Sequence, residues 1–585
     1  MIGEGDPSLA ATNTRWGAMI VEELRRLGTP LFCLSPGSRS TPLTAAVAAR
    51  PELPQRVLTD ERGAAFCALG ASKATGRPAV MITTSGTAMA SAYPAVIEAE
   101  RTGVPLLLLS ADRPTELRES GANQTIDQVK LFGDRVRWYA ELPPPGSGYP
   151  APAALTTLDE AVHRAVCAPA GPVHLNLQFR EPLGPIDLNK YPADPRLDRW
   201  RDQPAPWTRI PTPHPTLAPA ELQRAAQRMA GARRGLLVIG ATGTDEPLDA
   251  IAALADALGW PIYADAAAGL RIRRDARCMP LFDYLLASDD FQQEAAPDVI
   301  VHVGGPVVSK RYLRWLAAHP PAEHIALRAD PRRHDPSHTV TLRLCGSLAH
   351  LSADLSAAIQ REESQADAGW CGWMHQTHAA AQQAAAARLA APGSFHEIDI
   401  ARVASEGAAA LFIGNSMPIR DMDLFGSAAP QRVAVNRGAS GIDGLIATAA
   451  GWADGHRLPT VAVIGDVSAL HDLSSFALLA QQVVPLKLVV VNNSGGGIFS
   501  YLPVSRFEAG FDSHFVTAHP FGFEAIAAAF GLAYCAPDSP AALRGALGDA
   551  RPGATVIEVR TDRTQNVALH RAILADVVGA VRRRA

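Results

Sequence analysis

Long hydrophobic runs are missing from this chain: no apolar stretch approaches the roughly 18 residues that a membrane-crossing helix needs. The N-terminal stretch MIGEGDPSLAATNTRW has neither the basic patch nor the apolar core of an export signal, so a cytoplasmic protein is expected. Charge of one sign is equally scarce. With 54 Lys and Arg against 58 Asp and Glu, the formal net charge is −4, which gives no support for nucleic acid or an anionic membrane surface as partner. The seven cysteines (33, 67, 167, 278, 345, 371 and 535) include no C-x-x-C pair. An odd, unpatterned set predicts reduced thiols, mostly buried as small hydrophobes, and no metal finger. His375 and His378 are spaced for one helix face, but no third ligand accompanies them; a polar helical face is expected.

What is present is an alternation of alanine-rich helical stretches with Val/Ile/Leu runs, in a chain that is 47% hydrophobic and 19% charged. That alternation predicts an α/β protein, and 585 residues suggest roughly three or four domains. One stretch carries more chemistry than the rest, VAVIGDVSALHDLSSFALLAQQVVPLKLVVVNNSGGGIFSYLP over 461–503. A β-branched run stops at Gly465-Asp466, and a second, Leu486 to Val491, stops at Asn492-Asn493. Residues 468–491 lie between Val467 and Asn492. Both runs read as parallel strands covered on both faces, and the carboxyl ends of such strands line the ligand crevice. Asp466 and Asn493 then offer a carboxylate and a carboxamide, and Gly495 adds a backbone carbonyl that no Cβ obstructs. Three hard oxygens suit a Mg²⁺ ion that anchors a diphosphate, and Mn²⁺ fits as well. Gly-Asp alone reads more readily as a helix cap; the spacing and the Ser-Gly-Gly-Gly behind it favour the metal.

Taken in order, the chain opens with a helix expected over 14–30 and a strand at 31–34. The loop Ser35-Pro-Gly-Ser-Arg-Ser-Thr-Pro-Leu43 follows, where Arg39 is able to grip a carboxylate bidentately. Glu61 follows a strand and opens a helix. Strands ending at Ser85-Gly86-Thr87 and at Ala111-Asp112-Arg113-Pro114 come next, then Gly121-Ala-Asn-Gln124. Arg39, Glu61, Arg113 and Gln124 all fall on strand-end loops. Residues 182–220 read as a linker. In the middle region, helix 219–230 precedes strands at 235–240, 261–264, 299–303 and 324–327. Gly240 and Gly243 lack the third glycine and the later acid of a dinucleotide fingerprint, so a structural domain is favoured there. Lys310 and Arg311 follow one of its strands. Residues 360–394 read as linker helix. The last region carries strand ends at Gly414-Asn-Ser416-Met-Pro-Ile-Arg420 and at Asn436-Arg437-Gly-Ala-Ser440-Gly441-Ile442-Asp443-Gly444. Small residues over 438–444, opening a helix, suit the approach of a phosphate to backbone N–H groups.

The Gly-Asp…Asn-Asn spacing resembles the fingerprint of thiamine-diphosphate enzymes, with Val467 where many members have glycine. Ser35-Pro-Gly-Ser-Arg-Ser-Thr-Pro-Leu, Asp60-Glu-Arg, Ser110-Ala-Asp-Arg-Pro, Gly121-Ala-Asn-Gln and Asn436-Arg-Gly-Ala-Ser-Gly-Ile-Asp-Gly resemble one family among them: the 2-succinyl-5-enolpyruvyl-6-hydroxy-3-cyclohexene-1-carboxylate synthases of menaquinone biosynthesis. The likeness runs over nearly the whole chain and is loosest in the linkers and middle domain. It implies three doubly wound parallel-sheet domains of the pyruvate-oxidase type: pyrimidine-binding (1–190), middle (205–358) and diphosphate-binding (372–585). It also implies a homodimer or a homotetramer built from dimers, with each active site between the first domain of one subunit and the last domain of another. Glu61 would bind the aminopyrimidine, and Ile442 would wedge the cofactor in its V shape. Asp466, Asn493 and Gly495 would hold the metal, and Ser416, Met417, Ser440, Gly441, Val467, Ser468, Ile498 and Phe499 would contact the cofactor. The substrates would be 2-oxoglutarate and isochorismate, both dianions. Arg420, Arg437 and Ser416 fall to the succinyl side, and Ser38, Arg39, Arg113, Gln124, Lys310 and Arg311 to isochorismate. Arginine's planar fork suits such carboxylates. A 2-oxo acid decarboxylase or acetolactate-type synthase would act on small apolar acyl donors, which the arginines argue against. A non-catalytic scaffold would have no use for Glu61, Asp466 and Asn493.

Overall fold

In a computed structural model the described residues are 6–146, 148–191, 194–213, 215–243, 248–269, 274–390, 395–428, 430 and 432–583. The chain divides into two compact units. The first comprises Met1–Pro213, Asn436–Arg457 and His471–Val484; the second comprises His214–Val435, Leu458–Leu470 and Pro485–Ala585. All three sheets are parallel throughout and flanked by helices, as continuously apolar strands require.

The first unit is built on strands β1 (Phe32–Leu34), β2 (Gln55–Val57), β3 (Ala79–Thr83), β4 (Leu106–Asp112), β5 (Trp138–Leu142) and β6 (Pro172–Gln178), in the order β2-β1-β3-β4-β6-β5. Strands β3, β4 and β6 are buried along their whole length. Helix Glu61–Thr75 packs against helix Leu445–His456 so closely that a Cβ on Gly70 would lie 2.1 Å from the Thr448 carbonyl, and one on Gly451 1.9 Å from that of Cys67. Only glycine permits that approach. The helix that follows the Asn436–Gly444 loop is thereby fixed in the same unit as Glu61.

The second unit holds two sheets. Strands β7 (Gly235–Ile239), β8 (Ile262–Ala264), β9 (Val299–Val303), β10 (Glu323–Arg328) and β11 (Leu342–Cys345) are ordered β11-β10-β9-β7-β8. Strands β12 (Ala410–Ile413), β13 (Arg432–Val435), β14 (Thr460–Gly465), β15 (Leu486–Asn492), β16 (Ala533–Cys535) and β17 (Ala554–Arg560) are ordered β13-β12-β14-β15-β17-β16.

Several expectations need correction. The opening helix runs Pro7–Arg26 rather than 14–30, because Asp6 caps it by accepting from Ser8 N, and Gly28 ends it at φ 84°. Strands β5, β11 and β16 were not anticipated; each is short and only partly buried, so it lacks a continuous apolar run. The stretch read as linker over 182–220 docks its first half: Leu197 and Trp200 are buried, and the Trp200 indole donates to Glu23 at 2.6 Å. Within 360–394, helix Ala368–Leu389 buries Trp370, Met374, His378, Ala381 and Ala385, so His378 lies on a core face and not a polar one. Burial lowers the His378 pKa to about 4. All seven cysteines are free, but only Cys33, Cys67 and Cys278 are buried; the other four are half-buried. No helix among the described residues is long and apolar enough to cross a membrane.

Candidate active site

In the second unit, β14 and β15 are hydrogen-bonded neighbours with Gly465 opposite Val491, so the residues that follow them emerge side by side. Asp466 opens a short helix and is almost fully buried. Its Oδ2 accepts from Gly495 N at 2.9 Å and its Oδ1 from Val467 N at 2.7 Å. Burial pushes its carboxyl pKa up, and those backbone donors pull the other way. His519, which sequence reasoning missed, places Nε2 3.3 Å from the same Oδ2. It lies far along the chain in a loop that no motif marks.

Asn493 is the more telling residue. Its Nδ2 donates to the buried Glu397 at 2.8 Å, which fixes the amide's orientation and turns Oδ1 the other way. That Oδ1 is buried and has no hydrogen-bond partner among the described residues. A buried acceptor left unmade costs about 1–3 kcal/mol. Gly495, at φ 141°, accepts from Gly497 N at 2.9 Å and keeps a second lone pair; a Cβ there would strike the Val516 carbonyl at 2.6 Å. One carboxylate, one orphaned amide oxygen and one carbonyl form a hard-oxygen donor set that fits Mg²⁺ or Mn²⁺. No group of three His, Cys, Asp or Glu that could hold a metal ion occurs among the described residues. Burial also raises the Glu397 carboxyl to about 7, with Asp421 the next cause.

The remaining predicted residues of this unit fall on four elements. Ser416 follows β12, which neighbours β14 where the strand order reverses, the usual ligand position in a doubly wound sheet. Its φ is 70°, and Met417 begins the next helix, from which Arg420 reaches back to the Ser416 carbonyl. Ser468 is buried. Ile498 and Phe499 lie in the turn Gly497–Tyr501, with the Phe499 ring 6.0 Å from that of Phe515. Lys310 is exposed at the start of helix Lys310–Ala318. Arg311 pairs with Asp283 and lies 5.9 Å from the centroid of the Tyr284 ring.

In the first unit Glu61 is half-buried at the first position of its helix, which Asp60 caps by accepting from Arg62 N at 2.9 Å. Ser38 is exposed and starts a turn that Gly37 brings against Thr84, where a Cβ would meet the Thr84 side chain at 2.3 Å. Arg39 is buried, and its fork is already engaged: Nη1 donates to the Phe179 carbonyl at 2.8 Å and Nη2 to Glu181 at 2.7 Å. The free bidentate grip expected of Arg39 is thus occupied by groups of its own unit. Arg113 donates to Ser85 Oγ and to the Gln124 carbonyl at 2.5 Å, and Gln124 returns Nε2 to the Ser85 carbonyl at 3.1 Å. Burial first, then the nearby Arg39 cation, lowers the Arg113 pKa. Ser85 therefore joins the predicted pair, although its Ser-Gly-Thr turn signalled only a strand end.

The loop 436–444 overturns part of its reading. The N–H groups of Gly438 and Ala439 donate to Glu98 at 3.0 and 2.8 Å, and those of Ile446 and Ala447 to Asp472 at 2.8 and 3.1 Å. Those donors are spent on carboxylates, not left for a phosphate. Burial raises Asp472 to about 6. Arg437, Gly441 and Ile442 are half-buried, and Ser440 is exposed with φ 58°. Gln124 (φ 54°), Ser416, Ser440 and Ser494 (φ 60°) all hold left-handed backbone, a costly conformation that concentrates at ligand sites.

Comparison with known proteins gives this geometry its class. Residues 14–131 match the thiamine pyrophosphate enzyme N-terminal TPP binding domain, 192–413 the middle domain of thiamine pyrophosphate enzymes, and 421–559 the C-terminal TPP binding domain. The fold is that of a thiamine pyrophosphate enzyme. Among curated proteins, the 2-succinyl-5-enolpyruvyl-6-hydroxy-3-cyclohexene-1-carboxylate synthase of Rubrobacter xylanophilus is 44% identical, covering 97% of this chain and 99% of the relative. Those of Chlorobaculum parvum and Salinibacter ruber are each 42% identical, over 96% and 97% of both chains respectively. The chain belongs to the 2-succinyl-5-enolpyruvyl-6-hydroxy-3-cyclohexene-1-carboxylate synthase family.

Proposed function

We propose that this chain joins 2-oxoglutarate, with loss of CO₂, to isochorismate, giving 2-succinyl-5-enolpyruvyl-6-hydroxy-3-cyclohexene-1-carboxylate for menaquinone synthesis. The observation that carries the reading is the adjacency of Asp466 to the orphaned Oδ1 of Asn493 at neighbouring strand ends, in a chain of this family. Thiamine diphosphate supplies the thiazolium that stabilises the carbanion left by decarboxylation. Asp466, Asn493 and the Gly495 carbonyl would hold Mg²⁺ or Mn²⁺, and Ser416, Met417, Val467, Ser468, Ile498 and Phe499 would border the cofactor. Glu61 holds and returns a proton at the aminopyrimidine, while Ser440, Gly441 and Ile442 support the ring system.

Arg420, Arg437 and Ser416 take the carboxylates of the 2-oxo acid; Ser38, Arg39, Arg113, Gln124, Lys310 and Arg311 take those of isochorismate. The internal partners of Arg39 and Arg311 make these arginines rigid, and a substrate carboxylate would compete with Glu181 and Asp283 for them. The domains divide as 1–190, 205–358 and 372–585, and the chain works in the cytoplasm as a homotetramer built from dimers. An assay by mass of 2-oxoglutarate consumption tests the reading. Product is expected only when isochorismate, thiamine diphosphate and Mg²⁺ are all present. Consumption that ignores isochorismate would make this a simple decarboxylase, and no consumption at all would leave a scaffold.

A further inference from the structure

Behind the loop that carries Arg437 and Ile442 lies a buried group of charged side chains to which neither composition nor motif assigns a part. Lys73, on the helix that Glu61 opens, and Glu98, on helix Tyr93–Thr102, are both nearly inaccessible. Lys73 Nζ donates to Asn436 Oδ1 at 2.7 Å and stands 3.6 Å from Glu98 Oε1. The two oxygens of Glu98 accept the N–H groups of Gly438 and Ala439, one each. Asn436 completes the set by donating Nδ2 to Thr448 Oγ1 at 2.9 Å. The contact is close as well as polar. A Cβ on Gly438 would lie 2.8 Å from Arg101 Cβ, 2.9 Å from Glu98 Oε2 and 2.9 Å from Thr102 Cγ2, so only glycine lets the loop reach the carboxylate.

A buried ion pair is a poor device for stability alone, because desolvating both charges offsets most of their attraction. Its worth lies in specifying one arrangement. Here burial already works against the Lys73 charge, lowering its pKa. Lys73 bonds to Asn436 on one side of Arg437 and, through Glu98, holds the two consecutive N–H groups that follow Arg437 on the other. We propose that Glu98 and Lys73 are positioning residues of the reaction: they hold Asn436–Ala439 in one conformation and so set where Arg437 and Ile442 are presented. The roles of those two residues rest on the function proposed above; the clamp itself does not.

The test uses the full chain with thiamine diphosphate and Mg²⁺. Hydrogen–deuterium exchange read on peptides over 436–444 should quicken roughly tenfold or more in Glu98→Ala, as expected when charge-assisted bonds are lost, with the peptides of β3 and β4 unchanged. The kcat/KM for 2-oxoglutarate should fall roughly 10- to 100-fold. Because the effect passes through Arg437, adding Glu98→Ala to Arg437→Ala should cost less than about threefold more. Glu98→Gln keeps the volume and one acceptor oxygen, and should lie between Ala and the native residue in both readings. It carries the test if the alanine variant does not fold. Unchanged exchange over 436–444, fully additive losses with Arg437→Ala, or a Gln variant equal to the native chain in both readings would each overturn the proposal. A native chain that consumes neither substrate would remove the function reading, and the exchange result would still decide the clamp.

Discussion

The first and last sheets have the same plan and opposite contents. Numbered within itself, each sheet runs 2-1-3-4-6-5, and each carries candidate site residues after its first four strands, Glu61 following β2 and Arg437 following β13. After β1, β3 and β4 come Arg39, Ser85 and Arg113, cations and hydroxyls bonded to one another's neighbourhood. After β12, β14 and β15 come Ser416, Asp466 and Asn493, oxygen donors of which one is left unsatisfied. Topology fixes where a ligand can sit, whereas the side chains at the strand ends decide which charge it carries. One plan thus carries cations and hydroxyls at one set of strand ends and oxygen donors at the other.

The contrast can be broken by experiment. The largest effect is expected at the last sheet. Asp466→Ala should abolish thiamine diphosphate and Mg²⁺ binding and bring activity below detection with the fold retained; calorimetry showing native affinity would end the metal assignment. Next is Glu61 in the first unit, where Glu61→Gln should still bind the diphosphate yet lower kcat roughly 10²–10⁴-fold, the range for one acid–base group. Cofactor C2–H exchange at the native rate would place that role elsewhere. A smaller effect separates the arginines. Arg39→Ala should cost roughly 2–3 kcal/mol, about 30- to 150-fold, in kcat/KM for isochorismate while sparing the first step, seen with 2-oxoglutarate alone. Arg420→Ala should impair that first step instead; stopped-flow with 2-oxoglutarate alone in which Arg39→Ala blocks the step and Arg420→Ala spares it would reverse the division.

The smallest effect concerns stability. Asp159, with its neighbour Glu23, anchors the segment 200–208, accepting from Thr208 N at 2.7 Å while Glu23 accepts from Trp207 N at 2.5 Å. Burial, then Glu23, raises Asp159 to about 8. The folded state therefore keeps a proton that the unfolded chain has already lost above the ordinary carboxylate range. Stability should fall as pH climbs from about 4 towards 8 and level off above. Asp159→Asn, which mimics the protonated form, should flatten the decline in Tm between pH 6 and pH 9. A parallel decline in the variant would assign it to other groups.

The strands that were legible in the sequence are those buried along their whole length, such as β4, β9 and β15, because a continuous apolar run has no other use. Partly buried edge strands β5 and β16 were not, since side chains that meet solvent carry no such run. Motifs singled out Asp466, Asn493, Glu61 and Gln124 as candidates. They could not locate Glu98, Asp472, Glu397 or His519, whose parts depend on approach across the fold; a lone acid on an alanine-rich helix looks like any other. The same blindness explains the misreading of Gly438 and Ala439, where small residues signal a close backbone approach without saying that a carboxylate makes it.

The glycine-lined crossing of helices Glu61–Thr75 and Leu445–His456 bears on how the protein is made. Synthesis delivers Pro213 long before Val484, at ~5–20 residues per second, so the first unit waits roughly 15–50 s for the segments that finish it. During that interval the small-residue face of the Glu61 helix has no cover, while the sheets of the second unit are still emerging. Birth order and spatial order conflict in this chain. Its yield in a cell should depend on what shields that helix until the last third of the chain arrives.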